Sequence, residues 1–476
     1  MRTLAGAILS ALILVPLASA DPAVPLTDVT DQSGLWDVPT AWGVSAGDLD
    51  GDGDIDLVMA NNGSENALFF NEGNLRFRGR PLVGGPPGTE ACVLADVDHD
   101  GDLDLLACCW GQQIILFVND GSGRFTDVTA DSGLLIRNGA RNGGAAFGDV
   151  DGDGDLDLHV PDAAEGDLLY RNEGAGFVDV TAEALLPMVE GAESSALVDI
   201  DDDGDTDLYV ARSNELSALY LNDGTGVFED LSAATDLFSA PSNCGACFFD
   251  CDNDGDLDIL QTRGAFGGKT FNRLLRNEGN ARFADATPPD WQLEQLACFS
   301  VAVGDTDNDG DEDLCVTGQD LVRLYLNDGK GDFALAESPV PAPELELAMA
   351  ALLIDLDGDG DLDLVARYRN GADRIFRNDL NDRNWLEVRP IDRTGNRFCL
   401  GARVRVFRAG GMGDMQEFVA RRDIIPPCGW GAYRPYIAHF GLPAGGRYDV
   451  EVRFADGSTS VARNVEPGRV IEVKAP

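Results

Sequence analysis

Five aspartates at alternate positions of a nine-residue segment, with glycine at the sixth, can bring several hard oxygen atoms to one centre, and this chain carries that arrangement seven times. The first copy is DLDGDGDID (Asp48, Asp50, Asp52, Asp54, Asp56), followed by DVDHDGDLD (Asp96, Asp98, Asp100, Asp102, Asp104) and DVDGDGDLD (Asp149, Asp151, Asp153, Asp155, Asp157). Then come DIDDDGDTD (Asp199, Asp201, Asp203, Asp205, Asp207) and DCDNDGDLD (Asp250, Asp252, Asp254, Asp256, Asp258). DTDNDGDED (Asp305, Asp307, Asp309, Asp311, Asp313) and DLDGDGDLD (Asp355, Asp357, Asp359, Asp361, Asp363) complete the set. Such a donor set suits Ca²⁺ and does not suit Zn²⁺ or Cu²⁺. In the first copy the side chains of Asp48, Asp50, Asp52 and Asp56 are the expected ligands, with the backbone carbonyl of Asp54 as a further one; the aspartates of the other copies are assigned alike. Gly53 and its counterparts permit a sharp turn that other residues would strain. An EF-hand is excluded, because its loop closes with Glu at position twelve between two helices, whereas here position twelve is a residue such as Val160 in a strand-like run. A single acidic turn is most simply a solvated loop. Seven clusters of five carboxylates are different, since like charges a few ångströms apart cost several kcal/mol unless cations neutralise them. The expectation is about seven structural Ca²⁺.

The copies begin 48, 53, 50, 51, 55 and 50 residues apart, a period that marks stacked supersecondary units. Each loop is followed by a strand-like run (DLVMA, DLLAC, DLHVP, DLYVA, DILQT, DLCVT, DLVAR) and then by a second apolar run that ends in Asn-Glu-Gly or Asn-Asp-Gly in the first six units, as in ALFFNEG and ALYLNDGTG. Those turns are hairpin signals, and an aromatic follows in six units at Phe77, Phe125, Phe177, Phe228, Phe283 and Phe333. Four short antiparallel strands in about 50 residues describe a propeller blade. The segment LTDVTDQSGL at Leu26 has no preceding loop, yet matches FTDVTADSGL at Phe125, while the seventh unit stops at Asp379 without its aromatic strand. The N-terminal strand is therefore expected to complete the last blade, leaving no open edge. The predicted fold is all-β: a seven-bladed β-propeller over residues 21–383, then a small β domain over 384–476.

Arg2, the apolar run Leu4 to Val15 and Ala18-Ser19-Ala20 read as a cleavable signal peptide over residues 1–20. The expected localisation is secreted, periplasmic or cell-surface, and no other stretch approaches a transmembrane length. Ten cysteines fit disulfides in an oxidising compartment. Cys92 with Cys108 or Cys109, and Cys298 with Cys315, flank loops on hairpin arms; Cys244, Cys247 and Cys251 are spaced like a metal cluster, but export and nearby Cys298 favour disulfides. A net charge of −48 argues against nucleic acid or anionic membrane as partners.

After residue 383 the loops stop, and short runs such as WLEVRPI, ARVRVF and YDVEVRF alternate with Gly-rich turns; this part has its own cysteines, Cys399 and Cys428. The loops and the strands after them resemble FG-GAP or VCBS-type repeats, the calcium-loaded blades of integrin α-subunit heads, over residues 26–380. The C-terminal part resembles the ASPIC/UnbV domain in Asn384-Trp385-Leu386, Gly401-Ala402-Arg403-Val404, His439-Phe440-Gly441-Leu442 and Val452-Arg453-Phe454-Ala455-Asp456-Gly457. Together they are similar to the cartilage acidic protein family and its bacterial relatives. That resemblance implies extracellular calcium binding and interaction with a matrix or surface rather than a reaction. Two departures stand out: the Cys in Asn396-Arg397-Phe398-Cys399-Leu400, which suggests a local disulfide to Cys428, and Phe454-Ala455 where the family commonly has Trp-Pro.

No G-x-S-x-G elbow, P-loop or H-E-x-x-H motif is present. Of three histidines, His99 at the fourth position of a loop is expected to face solvent, His159 lies in a strand, and His439 is assigned a packing or turn role. The leading functional reading is a non-enzymatic binding or adhesion module for an extracellular protein or glycan. The alternatives are a calcium-dependent polysaccharide lyase and an assembly factor for another exported protein.

Overall fold

Apolar runs of about five to seven residues, interrupted alternately by an Asp loop and an Asn-containing turn, leave each unit little choice but an antiparallel meander. The computed structural model describes all residues except 1–23, 37–39, 136–141, 214, 233–242, 265–270, 295–297, 319–320, 337–339, 341–346 and 426–429. The expected signal peptide lies outside the described residues. Among them, the first sheet is built from Ala41–Gly47, Asp56–Asn61, Ala67–Asn71 and Phe77–Pro81, with each Asp loop joining its first strand to its second. Five further four-stranded sheets begin at Thr89–Ala95, Ala146–Gly148, Ala192–Val198, Asn243–Phe249 and Cys298–Gly304. The last has Ala348–Ile354, Asp363–Tyr368 and Arg374–Asn378, and its outer place is taken by the N-terminal strand Leu26–Asp28, antiparallel with Leu26 opposite Asn378. The chain is an all-β propeller.

One side-chain amide per sheet ties it to its neighbour. The turn asparagine donates from Nδ2 to a backbone carbonyl of the preceding unit: Asn119 to Leu49, Asn172 to Val97, Asn222 to Val150, Asn277 to Ile200, Asn327 to Cys251 and Asn378 to Thr306, all at 2.7–3.0 Å. Asn71 of the first sheet reaches Leu356 of the last at 2.8 Å, so the series closes on itself. All seven asparagines are buried, where an unmade hydrogen bond would cost more than a made one contributes.

Apart from those of the second and third sheets, first strands of neighbouring sheets lie against one another, including those of the first and last, and four first strands also touch Ala432–Tyr433. That two-residue strand pairs in parallel with Val44 and Ser45 of the first sheet. Nearby, the Trp430 ring stands edge-on to Trp42 at 4.9 Å among Phe299, Cys244 and Met349. Register breaks at the start of six first strands, between Thr89 and Ala91 or Cys298 and Ser300 for example, mark bulges, which turn a side chain out of its ladder. The bulged residues Cys244, Phe299 and Met349 are three of those packed around Trp430. Deeper in, the Tyr433 hydroxyl bonds the carbonyl of Ala145 at 3.1 Å, and Tyr436 donates to the Leu94 carbonyl at 2.6 Å. Residues 430–438 therefore run through the middle of the ring as a stopper.

The remaining C-terminal strands make two sheets, one with Trp385–Ile391 between Ala438–Gly441 and Arg469–Lys474, the other with Arg403–Arg408 and Tyr448–Arg453 at its centre. Leu386, Val404, Tyr433 and Val450 share one apolar cluster with Leu94, Leu106 and Leu158 of the propeller. Instead of standing apart as the change in sequence grammar suggests, the final 90 or so residues share their core with the ring.

The propeller disulfides expected from sequence are not formed: none of the nine described cysteines is in a disulfide. Register explains this. Cys92 lies opposite Ala107 and Cys108 opposite Ala91, adjacent rungs whose side chains point to opposite faces. Cys109 lies opposite Thr89, beyond the bulge, and its thiol is 3.8 Å from the Thr89 hydroxyl. Cys298 faces Gly318 while Cys315 faces Ala302, too far out of register to bridge. Cys247 and Cys251 pack in one apolar cluster and Cys244 in another, so these three form no metal cluster. Cys428, the expected partner of Cys399, lies outside the described residues. Among the described residues no helix is long and apolar enough to cross a membrane.

Replacing Asn222 by Ala removes its bonds to the Val150 and Thr206 carbonyls and is expected to cost about 1–3 kcal/mol, read as a lower midpoint in urea unfolding. An unchanged midpoint would show that the ring of amides does not stabilise the fold.

Candidate metal centres

Every Asp loop is folded by its own backbone. The glycine at position six has φ between +89° and +109° in all seven, a region L side chains avoid. Position four is also left-handed, at +56° to +77°, which accounts for its restriction to Gly51, Gly152, Gly358, His99, Asp202, Asn253 and Asn308, residue types that tolerate it. In six loops the first aspartate accepts the glycine N–H on Oδ2 at 2.9–3.1 Å. The fifth-position carboxylate accepts the N–H of position seven at 2.9–3.0 Å in all seven.

The ninth position does most of the structural work. Asp56, Asp104, Asp157, Asp207, Asp258, Asp313 and Asp363 are buried. Each accepts on Oδ2 the N–H of position two of its own loop, at 2.8–3.1 Å. Each accepts on Oδ1 the N–H of its turn asparagine, at 2.7–2.9 Å.

These bonds leave one carboxylate oxygen per loop buried without a partner: Oδ1 of Asp50, Asp96, Asp151, Asp199, Asp252, Asp307 and Asp357. Buried polar atoms are ordinarily paired, so each orphan marks a place where a cation fits. Oxygens of Asp48, Asp50 and Asp56 lie within 4.8 Å of one another, as do those of Asp96, Asp98 and Asp104, of Asp149, Asp151 and Asp157, of Asp199, Asp201 and Asp203, and of Asp250, Asp252 and Asp254. The clusters thus join positions one and three with nine or five. Position seven behaves differently: Asp155, Asp311 and Asp361 take bonds from the fourth residue of the preceding loop, namely His99 at 3.2 Å, Asn253 at 2.6 Å and Asn308 at 2.8 Å. His99 is exposed, as expected, with its ring beside that carboxylate.

Burial sets the acidity of the ninth aspartate. It pushes Asp56 and Asp207 up to about 8 and Asp104, Asp157 and Asp258 to about 7, against the pull of their backbone bonds; Asp313 and Asp363 are likewise raised well above the ordinary carboxylate range. Without cations the clusters hold protons at pH values where free carboxylates have lost them.

The C-terminal residues lie on the loop face. Asn396 donates to Asp96 Oδ2 at 2.8 Å, Arg403 to Asp199 Oδ2 at 3.0 Å and the Gly441 N–H to Asp305 Oδ2 at 2.8 Å. Arg421 and Arg403 both reach Asp202 Oδ1, at 2.8 and 2.7 Å. Carbonyls of position-six glycines accept from Arg421 (Gly255, 2.6 Å), Arg422 (Gly310, 3.2 Å) and the His439 ring (Gly360, 2.9 Å). His439 is thus a contact between loop and C-terminal segment, while His159 is buried in its strand with neither ring nitrogen hydrogen-bonded. The third loop instead borders a cleft of about 460 Å³, lined across from it by Arg393, Asn396 and Phe398.

Family models match the chain at five places: an FG-GAP-like repeat at residues 48–107, 106–160, 199–261 and 305–366, and ASPIC and UnbV at 392–476. The comparison with curated proteins gives no match. Among solved structures, BBS1N in complex with ARL6DN is 14% identical over 79% of this chain and 99% of that one, with a TM-score of 0.46. The BP39L lectin of Burkholderia pseudomallei is 12% identical over 71% and 96%, at 0.46. A rhamnogalacturonan lyase of Bacillus licheniformis is 13% identical over 76% and 76%, at 0.40.

In the cation-free protein, folded pKa values raised to about 7 and 8 mean that the folded state binds more protons than the unfolded one. Stability is then highest near pH 4 and falls as pH rises toward 8. Melting curves in chelator across this range should move down with pH and recover on adding Ca²⁺; curves flat with pH would contradict the burial of these carboxylates.

Proposed function

Since the chain belongs to the FG-GAP-like repeat proteins that end in an ASPIC and UnbV region, we propose that it is an extracellular, calcium-stiffened binding module for a protein or glycan. The observation that carries the calcium part is the single orphaned, buried carboxylate oxygen in each of seven loops. Hard oxygen donors with no nitrogen or sulfur among them favour Ca²⁺ over transition metals. The ions would be held by the first, third, fifth and ninth aspartates, with a backbone carbonyl at the seventh, and would supply charge neutralisation rather than chemistry. Export through residues 1–20 belongs to the same reading, because millimolar Ca²⁺ is an extracellular condition.

Cover of the fourth to seventh loops by the C-terminal residues favours the opposite face for the partner. Val83, Trp110, Leu135, Leu185, Met188 and Leu216 are exposed there, on connections that enter first strands or leave second ones. A glycan and protein binding screen with and without Ca²⁺ tests the module; uronate polymers belong in it, since a lyase would release an unsaturated product that absorbs in the ultraviolet and a binder would not.

For an extracellular site a dissociation constant of about 0.1 mM is typical, and at about 1 mM free Ca²⁺ each site then adds about 1.4 kcal/mol. Seven such sites together add about 10 kcal/mol, comparable with the whole stability of an ordinary domain. Chelation should therefore lower the melting temperature by tens of degrees, whereas Asp203→Ala should cost only a fraction of that. A melting curve indifferent to chelator, with no calcium by elemental analysis, would remove the calcium assignment.

A further inference from the structure

The seven loops are not held alike. In the fourth to seventh, the middle of the loop is pinned from the C-terminal side: Asp202 by Arg403 and Arg421, the Gly255 carbonyl by Arg421, the Gly310 carbonyl by Arg422 and the Gly360 carbonyl by His439. Gly360 also lies directly beneath the Trp385 ring, with no room for a Cβ. In the first three, a Cβ on Gly53, Gly101 or Gly154 would meet nothing, whereas on Gly204, Gly255 or Gly310 it would meet Arg453, Met415 or Gly441, and among the described residues no hydrogen bond or ion pair from 384–476 reaches positions three to seven of those first three loops. Asn396 touches the second loop only at its first aspartate, and open cleft borders the third.

Resting on the calcium reading above, we infer that the ions form two kinetic classes: three in the first to third loops that exchange freely, and four in the fourth to seventh that leave only when the C-terminal cover lifts. A cation enclosed by carboxylates at positions one to nine escapes by movement of the intervening backbone. Free loops make that movement locally; pinned loops must first break the bonds to residues 403–441, a local opening with its own free energy. Reciprocity holds for the affinities: by whatever factor the docked cover tightens binding of the four ions, the bound ions tighten docking of the cover.

The full-length, Ca²⁺-loaded protein is mixed with excess chelator, and bound ions are counted by native mass spectrometry over time, with hydrogen exchange of residues 403–441 followed in parallel. Three ions are expected to leave while those amides stay protected, and four to leave about tenfold more slowly or slower still, as the amides open. Arg421→Gln frees the fifth loop, while Arg403 still holds the fourth at Asp199 and Asp202, and should give four fast ions and three slow. Because Arg421 is fully buried beside Asp423, His439→Ala is the second variant; it frees the seventh loop and should give four fast and three slow. Seven ions leaving in one phase, or variants that keep the wild-type division, would overturn the inference while the calcium assignment stood. Detection of no ions at any time would instead remove the calcium assignment itself.

Discussion

A buried carboxylate at the ninth position of each loop is the interaction on which the rest of the propeller depends. Its two oxygens take backbone amides from the beginning of its own loop and from the turn at the far end of the next hairpin. One side chain thereby fixes the loop and aligns the turn whose asparagine reaches the preceding sheet. The same residue is forced into an environment that disfavours its charge. Structure and cation demand therefore arise from one group: the carboxylate is needed for its acceptors, and its burial makes a compensating positive charge favourable.

Local irregularities obey the same logic. Where the fourth residue is Asn or His, it donates to the seventh-position aspartate of the following loop. Asp202 cannot donate, and it faces Asp256 with like charge. Arg421, fully buried, fills that gap by bonding Asp202 and the Gly255 carbonyl together while pairing with Asp423. One acidic substitution within the repeat is thus answered by a guanidinium more than 200 residues away in the chain.

The repeat, its strand pattern and the outer role of Leu26–Asp28 were legible because periodicity and turn chemistry are local properties of a sequence. The convergence of carboxylates was legible for the same reason. The ring of asparagines was visible only as a turn signal: Asn71, Asn119, Asn172, Asn222, Asn277, Asn327 and Asn378 recur in every unit, more faithfully than a hairpin alone requires, and that excess is the sign that could have revealed a side-chain role. Disulfide pairing failed because spacing along a hairpin does not report which face a residue takes once a bulge shifts the register. The stopper was illegible too. Trp430 to Ala438 carries no periodic pattern, and its burial depends on bulges in strands hundreds of residues earlier.

Closure by the strand Leu26–Asp28 against Arg374–Asn378 has a bearing on how the chain reaches this state. During synthesis the first-made strand has no partner until nearly the whole propeller has emerged, and each earlier sheet waits with apolar flanks uncovered. Contacts of such sequence separation are slow to form, and unpaired edges invite association between chains. The stopper comes later still, entering a bore whose walls are already in place. Until that strand docks and the stopper enters, the core is incomplete, so the yield of native protein is governed by what shields the half-built ring in that interval.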